Sequence, residues 1–338
     1  MKRLFIVYNP NSSRFSDVKK DILDHLKDLK GHIIGKYEVE PTDVDKNTTK
    51  FAKILQDGDL VIAAGGDATG IVASNAILKS GKDATLMALP YGNFNDLART
   101  LGTSGVTWTG DRKNAKDKQF EVVCDNGSKL ASEPRNDGRE RSGPRTACPS
   151  VQRFYPLEIY VDGKFFRYAT CYVTIGMMAE AVKLYDTQKM RKILKTAHGR
   201  KVGSYTNLAK WYFKNRHKKQ FLPDFELNGK LQPKKTSDYC AINGKYMAHV
   251  MKGGEDYQNP TTFRSETDRL TSFWRLSKLM FKSIFFRVPG AKTKGDKIEF
   301  LEPATVELQA EGEYKVFENI KTIEIRKSKK CLKVVTKN

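Results

Sequence analysis

Gly65-Gly66-Asp67-Ala68-Thr69-Gly70 lies between the apolar run Leu60–Ala64 and the helical pattern Ile71–Lys79. Small residues at a strand-to-helix junction let backbone amides approach phosphate oxygens, and the helix that follows adds unpaired donors and a positive dipole end. A glycine-rich turn that merely joins strand to helix has the same composition, so the segment alone names no ligand. GxxxxGK[ST] and the HRD and DFG signatures do not occur, which excludes the Walker and protein-kinase forms of phosphate chemistry. Pro90-Tyr91-Gly92-Asn93-Phe94-Asn95-Asp96-Leu97-Ala98-Arg99 follows the run Thr85–Leu89, and Asn9-Pro10-Asn11-Ser12-Ser13 follows Leu4–Tyr8. All three segments leave the C-terminal ends of strands, where open α/β sheets bind ligands. Asn95 and Asp96 would serve equally well as helix caps.

The elements that must carry these segments alternate in type. Val18, Ile22, Leu23, Leu26 and Leu29 recur at helical spacing, Ile33–Val39 reads as a second strand, Thr49–Gln56 as a short helix and Asn95–Leu101 as another. Repeated β–α units predict a doubly wound parallel sheet with helices on both faces over residues 1–124. Residues 125–153 are crowded with Gly, Pro, Ser, Asn and charge, and are expected to be a disordered insertion. Residues 154–338 then read as a strand-rich domain. Tyr155–Val161 and Phe165–Thr174 are joined by the turn Asp162-Gly163, and shorter strands follow. The last strands are allowed to return to the first domain.

The 338 residues carry a formal charge of +21, only +2 of it in the insertion, which favours an anionic partner without naming one. Five scattered cysteines form no CxxC and predict neither a disulfide framework nor a zinc site, as suits a reducing compartment. No apolar run reaches the roughly 18 residues of a membrane span. Met190–Pro223 contains no acidic residue, and Lys210, Lys214, Arg216, Lys218 and Lys219 surround Trp211, Tyr212 and Phe213. Trp274–Val288 also mixes apolar and basic residues. Aromatics beside cations suit an anionic lipid surface; the same pattern describes a helix whose apolar face meets a core. No nucleic-acid recognition module is visible, so no specific nucleic acid is expected.

Taken in order, Asn9-Pro10-Asn11-Ser12-Ser13, Gly65-Gly66-Asp67-Ala68-Thr69 and Pro90–Arg99 resemble the N-P-x-S-G, G-G-D-G-T and P-x-G-T-x-N-D-x-A-R motifs of the diacylglycerol kinase catalytic domain. Glu311-Gly312-Glu313 is similar to that family's D-G-E, and the likeness spans the chain apart from the insertion. The resemblance implies a nucleotide-binding α/β domain, a β-sandwich-like lipid-substrate domain, and transfer of a phosphoryl group from ATP, with Mg²⁺, to the hydroxyl of diacylglycerol or a related lipid. Carried over by position, Asn9, Ser12 and Thr42 would border the nucleotide. Gly65, Gly66, Asp67, Ala68 and Thr69 would wrap phosphates and metal, with Asp67 serving catalysis, and Gly92, Asn93 and Asn95 would complete the pocket. Glu311 would be the general base with Glu313 beside it, and Asp268 would match a structural Mg²⁺ ligand. The implied setting is cytoplasmic, peripheral at an anionic membrane, with self-association into a homodimer left open. Ser13, Ala68, Asn93, Phe94 and Glu311 depart from the family's residues. Those departures keep two rival readings in view: a degenerate nucleotide- or lipid-binding relative, and a kinase of a soluble substrate such as NAD.

Overall fold

The computed structural model describes residues 2–12, 14–28, 32–40, 43–103, 149–185, 203–215, 222–248, 251–269 and 290–337, with isolated positions between them. The first unit contains β1 (Lys2–Tyr8), α1 (Phe15–Asp21), β2 (His32–Glu38), α2 (Val44–Ala52), β3 (Leu60–Gly65), α3 (Asp67–Ser80), β4 (Thr85–Pro90), α4 (Asp96–Thr100) and β5 (Pro149–Phe154). The second contains β6 (Leu157–Val161), β7 (Lys164–Ala169), β8 (Tyr172–Gly176), α5 (Met177–Tyr185), α6 (Ser204–Asn215), β9 (Phe225–Leu227), β10 (Lys230–Leu231), β11 (Asp238–Ile242), β12 (Tyr246–Met247), β13 (Met251–Lys252), β14 (Phe263–Asp268), β15 (Ala291–Thr293), β16 (Gly295–Ala310) and β17 (Glu313–Lys327). β18 (Leu332–Lys337) returns to the first sheet.

That first sheet has the order β2-β1-β3-β4-β18-β5 and is parallel except for β5. Alternate residues serve opposite layers, as a pleated strand requires. Ile6, Ile62 and Leu89 meet Val18, Ile22 and Leu26 on one side, while Val7, Val61 and Leu86 meet Phe51, Val72 and Ile77 on the other. The strand order reverses direction between β1 and β3, so the loops after these strands open the crevice where such sheets take ligands. The second sheet is antiparallel, ten-stranded, with the path β15-β14-β11-β8-β16-β17-β6-β7. The two units share one core: Tyr168, Cys171, Tyr172 and Ile242 pack in the same cluster as Leu97, Ala98 and Leu101.

Three expectations are corrected here. The helix expected at Thr49–Gln56 starts at Val44, because the Asp43 side chain accepts the Lys46 N–H and caps it. Asp67–Gly70 is not loop but the first turn of α3. The insertion ends earlier than expected, since Pro149–Phe154 pairs along the whole of β18. Residues 104–148 lie outside the described residues. Cys171, Cys240 and Cys331 are free, and no described helix is long and apolar enough to cross a membrane.

Candidate active site

Gly66 and Gly92 bring the loops after β3 and β4 into backbone contact. A methyl group at Gly92 would lie 2.2 Å from Gly66 Cα and 2.9 Å from its nitrogen. Gly66 has φ −90°, an ordinary backbone, and a Cβ there would meet Gly92 Cα at 3.3 Å, so the strict demand for glycine falls on Gly92. Asn95 locks the same loop. Its Oδ1 accepts the Gly92 N–H at 2.7 Å and its Nδ2 donates to the Gly92 carbonyl at 2.8 Å. Its own φ of +58° is one that Asn tolerates better than most residues. Asn93 and Phe94 sit half-buried on this turn.

Asp67 ties the two loops together. Its carboxylate accepts the N–H groups of Asn95 at 3.0 Å, Asp96 at 2.7 Å and Leu97 at 3.4 Å. The carboxylate therefore caps the start of α4 from a neighbouring element. Ala68 lies in the first helical turn of α3 and outside the left-handed region, so the alanine that departs from the family motif fits without strain. Thr69 is buried beside Gly65.

The loop after β1 joins through Arg14, whose guanidinium donates to the Pro90 carbonyl at 3.0 Å and lies over the Tyr91 ring. Asn9 Oδ1 accepts the Asn11 N–H at 2.8 Å, which shapes the turn. Ser12 Oγ is buried and has no hydrogen-bond partner among the described residues. Thr42 and Ser13 lie outside the described residues.

Glu311 reaches the same place from the second domain. Residues 311 and 312 form the two-residue turn between β16 and β17, with φ of +52° and +92° and Ala310 paired to Glu313. This left-handed pair is the hairpin geometry that glycine favours at its second position. Glu311 is 3% exposed. Its Oε1 accepts the Thr170 hydroxyl at 2.7 Å and the Cys171 N–H. Burial lifts its pKa to about 7 against these two donors, with the Asp96 charge adding to the lift. Asp67 keeps a little solvent contact, yet the protein packed around its carboxylate dominates. Burial first, then the Asp96 and Glu311 charges, pushes its pKa well up. Cys171 and Tyr172 are pushed up too, by burial and by the same carboxylates. Three acids thus share one buried region, with a proton-accepting group poised near neutrality. Glu313 is half-buried at the start of β17.

The remaining predicted residues lie apart from this cluster. Asp268 ends β14 in a second acidic group with Asp238 and Glu266. Among the described residues, no three His, Cys, Asp or Glu side chains are arranged to hold a metal ion. Lys210, Trp211 and Lys214 lie on α6 beside the buried Tyr212 and the exposed Phe213, whereas Arg216, Lys218 and Lys219 fall outside the described residues. Trp274 is 82% exposed and Phe286 68% exposed. Sequence reasoning missed Arg14, Thr170, Cys171 and Tyr172. It also missed Asn75, whose amide bonds both the N–H and the carbonyl of Tyr168 across the domain boundary.

The Gly66–Gly92 contact makes a direct prediction. Neither backbone can swing aside as a side chain would, so Gly92→Ala should lower stability by about 1–3 kcal/mol and weaken nucleotide binding. Gly295→Ala, whose added Cβ would find nothing nearer than 3.5 Å, should change neither. Thermal denaturation with and without ATP checks both.

Residues 3–124 match the family model of the diacylglycerol kinase catalytic domain. The chain is 37% identical over 106 residues to a diacylglycerol kinase of Bacillus subtilis strain 168, covering 30% of this chain and 34% of that protein. It is 36% identical over 103 residues to a diacylglycerol kinase of Staphylococcus saprophyticus, covering 30% of this chain and 33% of that protein. The matched stretch therefore spans about a third of the length of these curated relatives. A crystal structure of a diacylglycerol kinase from Bacillus anthracis str. Sterne aligns over 100% of this chain and 97% of its own, with a TM-score of 0.59 and 15% identity, a likeness of fold. The likeness to the diacylglycerol kinase catalytic domain is thus carried in sequence by residues 3–124, and in fold by the whole chain.

Proposed function

We propose that this protein is a lipid kinase that transfers the γ-phosphoryl group of ATP to the hydroxyl of diacylglycerol or a related lipid at an anionic membrane surface. The observation that carries this reading is the buried Glu311 carboxylate, with a pKa of about 7, beside the Asp67 that locks the glycine loops. The residues fit a nucleotide: backbone meets backbone at Gly66 and Gly92, α3 begins there, and Ser12 Oγ is buried without a hydrogen-bond partner among the described residues. Mg²⁺ would come with ATP and supply neutralisation of phosphate charge.

In the transfer, the lipid hydroxyl oxygen bonds to the γ-phosphorus as the bond to the bridging oxygen of ADP breaks, and that bond's electron pair leaves with ADP. The hydroxyl proton passes to the Glu311 carboxylate. A base is matched to this task when its pKa lies near the working pH. Thr170 and Cys171 hold one oxygen of that carboxylate, which fixes the direction it faces. The exposed Trp274 and Phe286, with Lys210 and Lys214 on α6, support docking at anionic lipid.

The test incubates the purified chain with ATP and Mg²⁺, offering diacylglycerol in anionic vesicles, the same vesicles without diacylglycerol, or NAD. Phosphorylated lipid with matching ADP release is expected from the first mixture alone. Product from NAD only, or ADP release from none, overturns the reading. The vesicles should release the protein at 1 M salt, where screening shortens to about 3 Å. Equal retention by neutral vesicles would overturn the membrane part.

A further inference from the structure

The second domain holds a buried cation that phosphoryl transfer does not use. Lys327, the last residue of β17, is 7% exposed. Its Nζ donates to Asn243 Oδ1 and, at 2.7 Å, to the Asp256 carbonyl. Asn243 is wholly buried, and every polar group on its side chain is engaged. Its Nδ2 donates to the carbonyls of Thr170 at 2.6 Å and Tyr155 at 3.0 Å, and its backbone N–H donates to the Cys171 carbonyl at 2.7 Å. Thr170 and Cys171 are the two residues whose donors meet the Glu311 carboxylate. A continuous line of hydrogen bonds therefore runs from the Lys327 amine to Glu311.

Strand geometry explains how one strand carries both ends of this line. The 15 residues of β17 would span about 50 Å if straight. Yet Ala310, next to Glu311, pairs with Val173, while Lys327 pairs with Leu157, which itself pairs with Ala169. Register shifts around Ala304 in the β16–β17 ladder mark where the hairpin departs from regular pairing. Both ends of β17 thus arrive at the junction of β7 and β8, where Thr170 and Cys171 leave the ladder.

A buried amine is costly to keep, and a methionine would fill the same space without that cost. We propose that Lys327 is a positioning residue: through Asn243 its Nζ fixes the Thr170–Cys171 backbone and thereby aims two donors at the Glu311 carboxylate. The catalytic meaning rests on Glu311 being the general base; the positioning itself does not. Burial pulls the amine down to about 7, opposed by the Asp256 carboxylate, whose other partner is Arg264. The groups facing Glu311 are Asp67, Asp96, Cys171 and Tyr172.

The test is a carboxyl NMR titration of the full chain labelled with [δ-¹³C]glutamate, the Glu311 resonance being the one lost in Glu311→Gln. Donors to a carboxylate lower its pKa, so Lys327→Met should raise the Glu311 midpoint by about 0.5–1 pH unit. At pH 7 its kcat should fall about tenfold while KM for ATP stays within twofold, and raising the pH should recover part of the loss. Lys327→Gln, which keeps a donor, should shift less and serves if the methionine variant does not fold. A purely structural role would change the amount of folded protein and leave the midpoint alone. An unmoved midpoint in either folded variant overturns the proposal. Should the midpoint shift while Glu311→Gln keeps wild-type turnover, the positioning stands and the base assignment falls.

Discussion

Glu311→Gln is expected to slow turnover by about 10²–10⁴-fold and, at pH 8, to make the protein harder to unfold. The first effect follows from removing the proton acceptor while keeping an oxygen for the Thr170 hydroxyl and the Cys171 N–H. The second follows from linkage. Burial holds the Glu311 pKa at about 7, above its ordinary 4.5, so the folded protein binds a proton there more tightly than the unfolded chain does. Stability from that proton is fully present below about pH 4.5 and is lost as pH rises through about 7. A shift of this size corresponds to about 3 kcal/mol. Glutamine carries no charge at any pH, so the variant should match wild type near pH 4 and exceed it in Tm at pH 8. ATP affinity should barely move. Glu311→Asp, which keeps a carboxylate, should retain substantial activity. Wild-type turnover in Glu311→Gln, with Glu313→Gln inactive, would transfer the role to Glu313.

Asp67→Asn should weaken ATP binding by about 5–150-fold, the equivalent of the 1–3 kcal/mol that attends loss of buried hydrogen bonds. The Asp67 carboxylate presents oxygen to three N–H groups, Oδ2 to Asn95 and Oδ1 to Asp96 and Leu97. An asparagine amide offers one oxygen, and its NH₂ would meet a donor with a donor. The loops would then lose their common anchor. Stability should fall less than this loss suggests, because the variant also removes an acid that burial and two neighbouring charges disfavour. Calorimetric titration with Mg²⁺-ATP, thermal melting and kcat separate these effects. Near wild-type affinity and turnover would place the nucleotide site elsewhere.

Periodicity made the first domain legible because its strands and helices are short, apolar and punctuated. Leu60–Ala64 and Thr85–Leu89 differ from β3 and β4 by a single residue at the end. The start of α3 was hidden because Gly66 and Gly70 signal a loop, whereas packing against α4 and the glycine contact impose a helix from Asp67 onward. The Glu311 turn was found from its glycine and its family likeness, but its partners were not. Phe165–Thr174 reads as one strand, and it breaks at Thr170–Cys171 because their donors turn to a carboxylate 141 residues from Thr170. Lys327 sits in Arg326-Lys327-Ser328-Lys329-Lys330, a run that composition assigns to solvent; only the pairing of β17 with β6 buries it.

β5 and β18 are antiparallel neighbours, with Phe154 opposite Leu332. Everything from residue 155 to residue 331 therefore occupies the place of a hairpin loop. Its entry and exit run side by side, held by the Ser328 N–H donating to the Pro156 carbonyl at 2.9 Å. In modular terms, the second domain is nested inside the first, inserted between two strands that a two-residue turn could join without altering their register. A closed first domain could then have preceded the nested one, which makes the pair divisible by a single excision and not by a cut between halves.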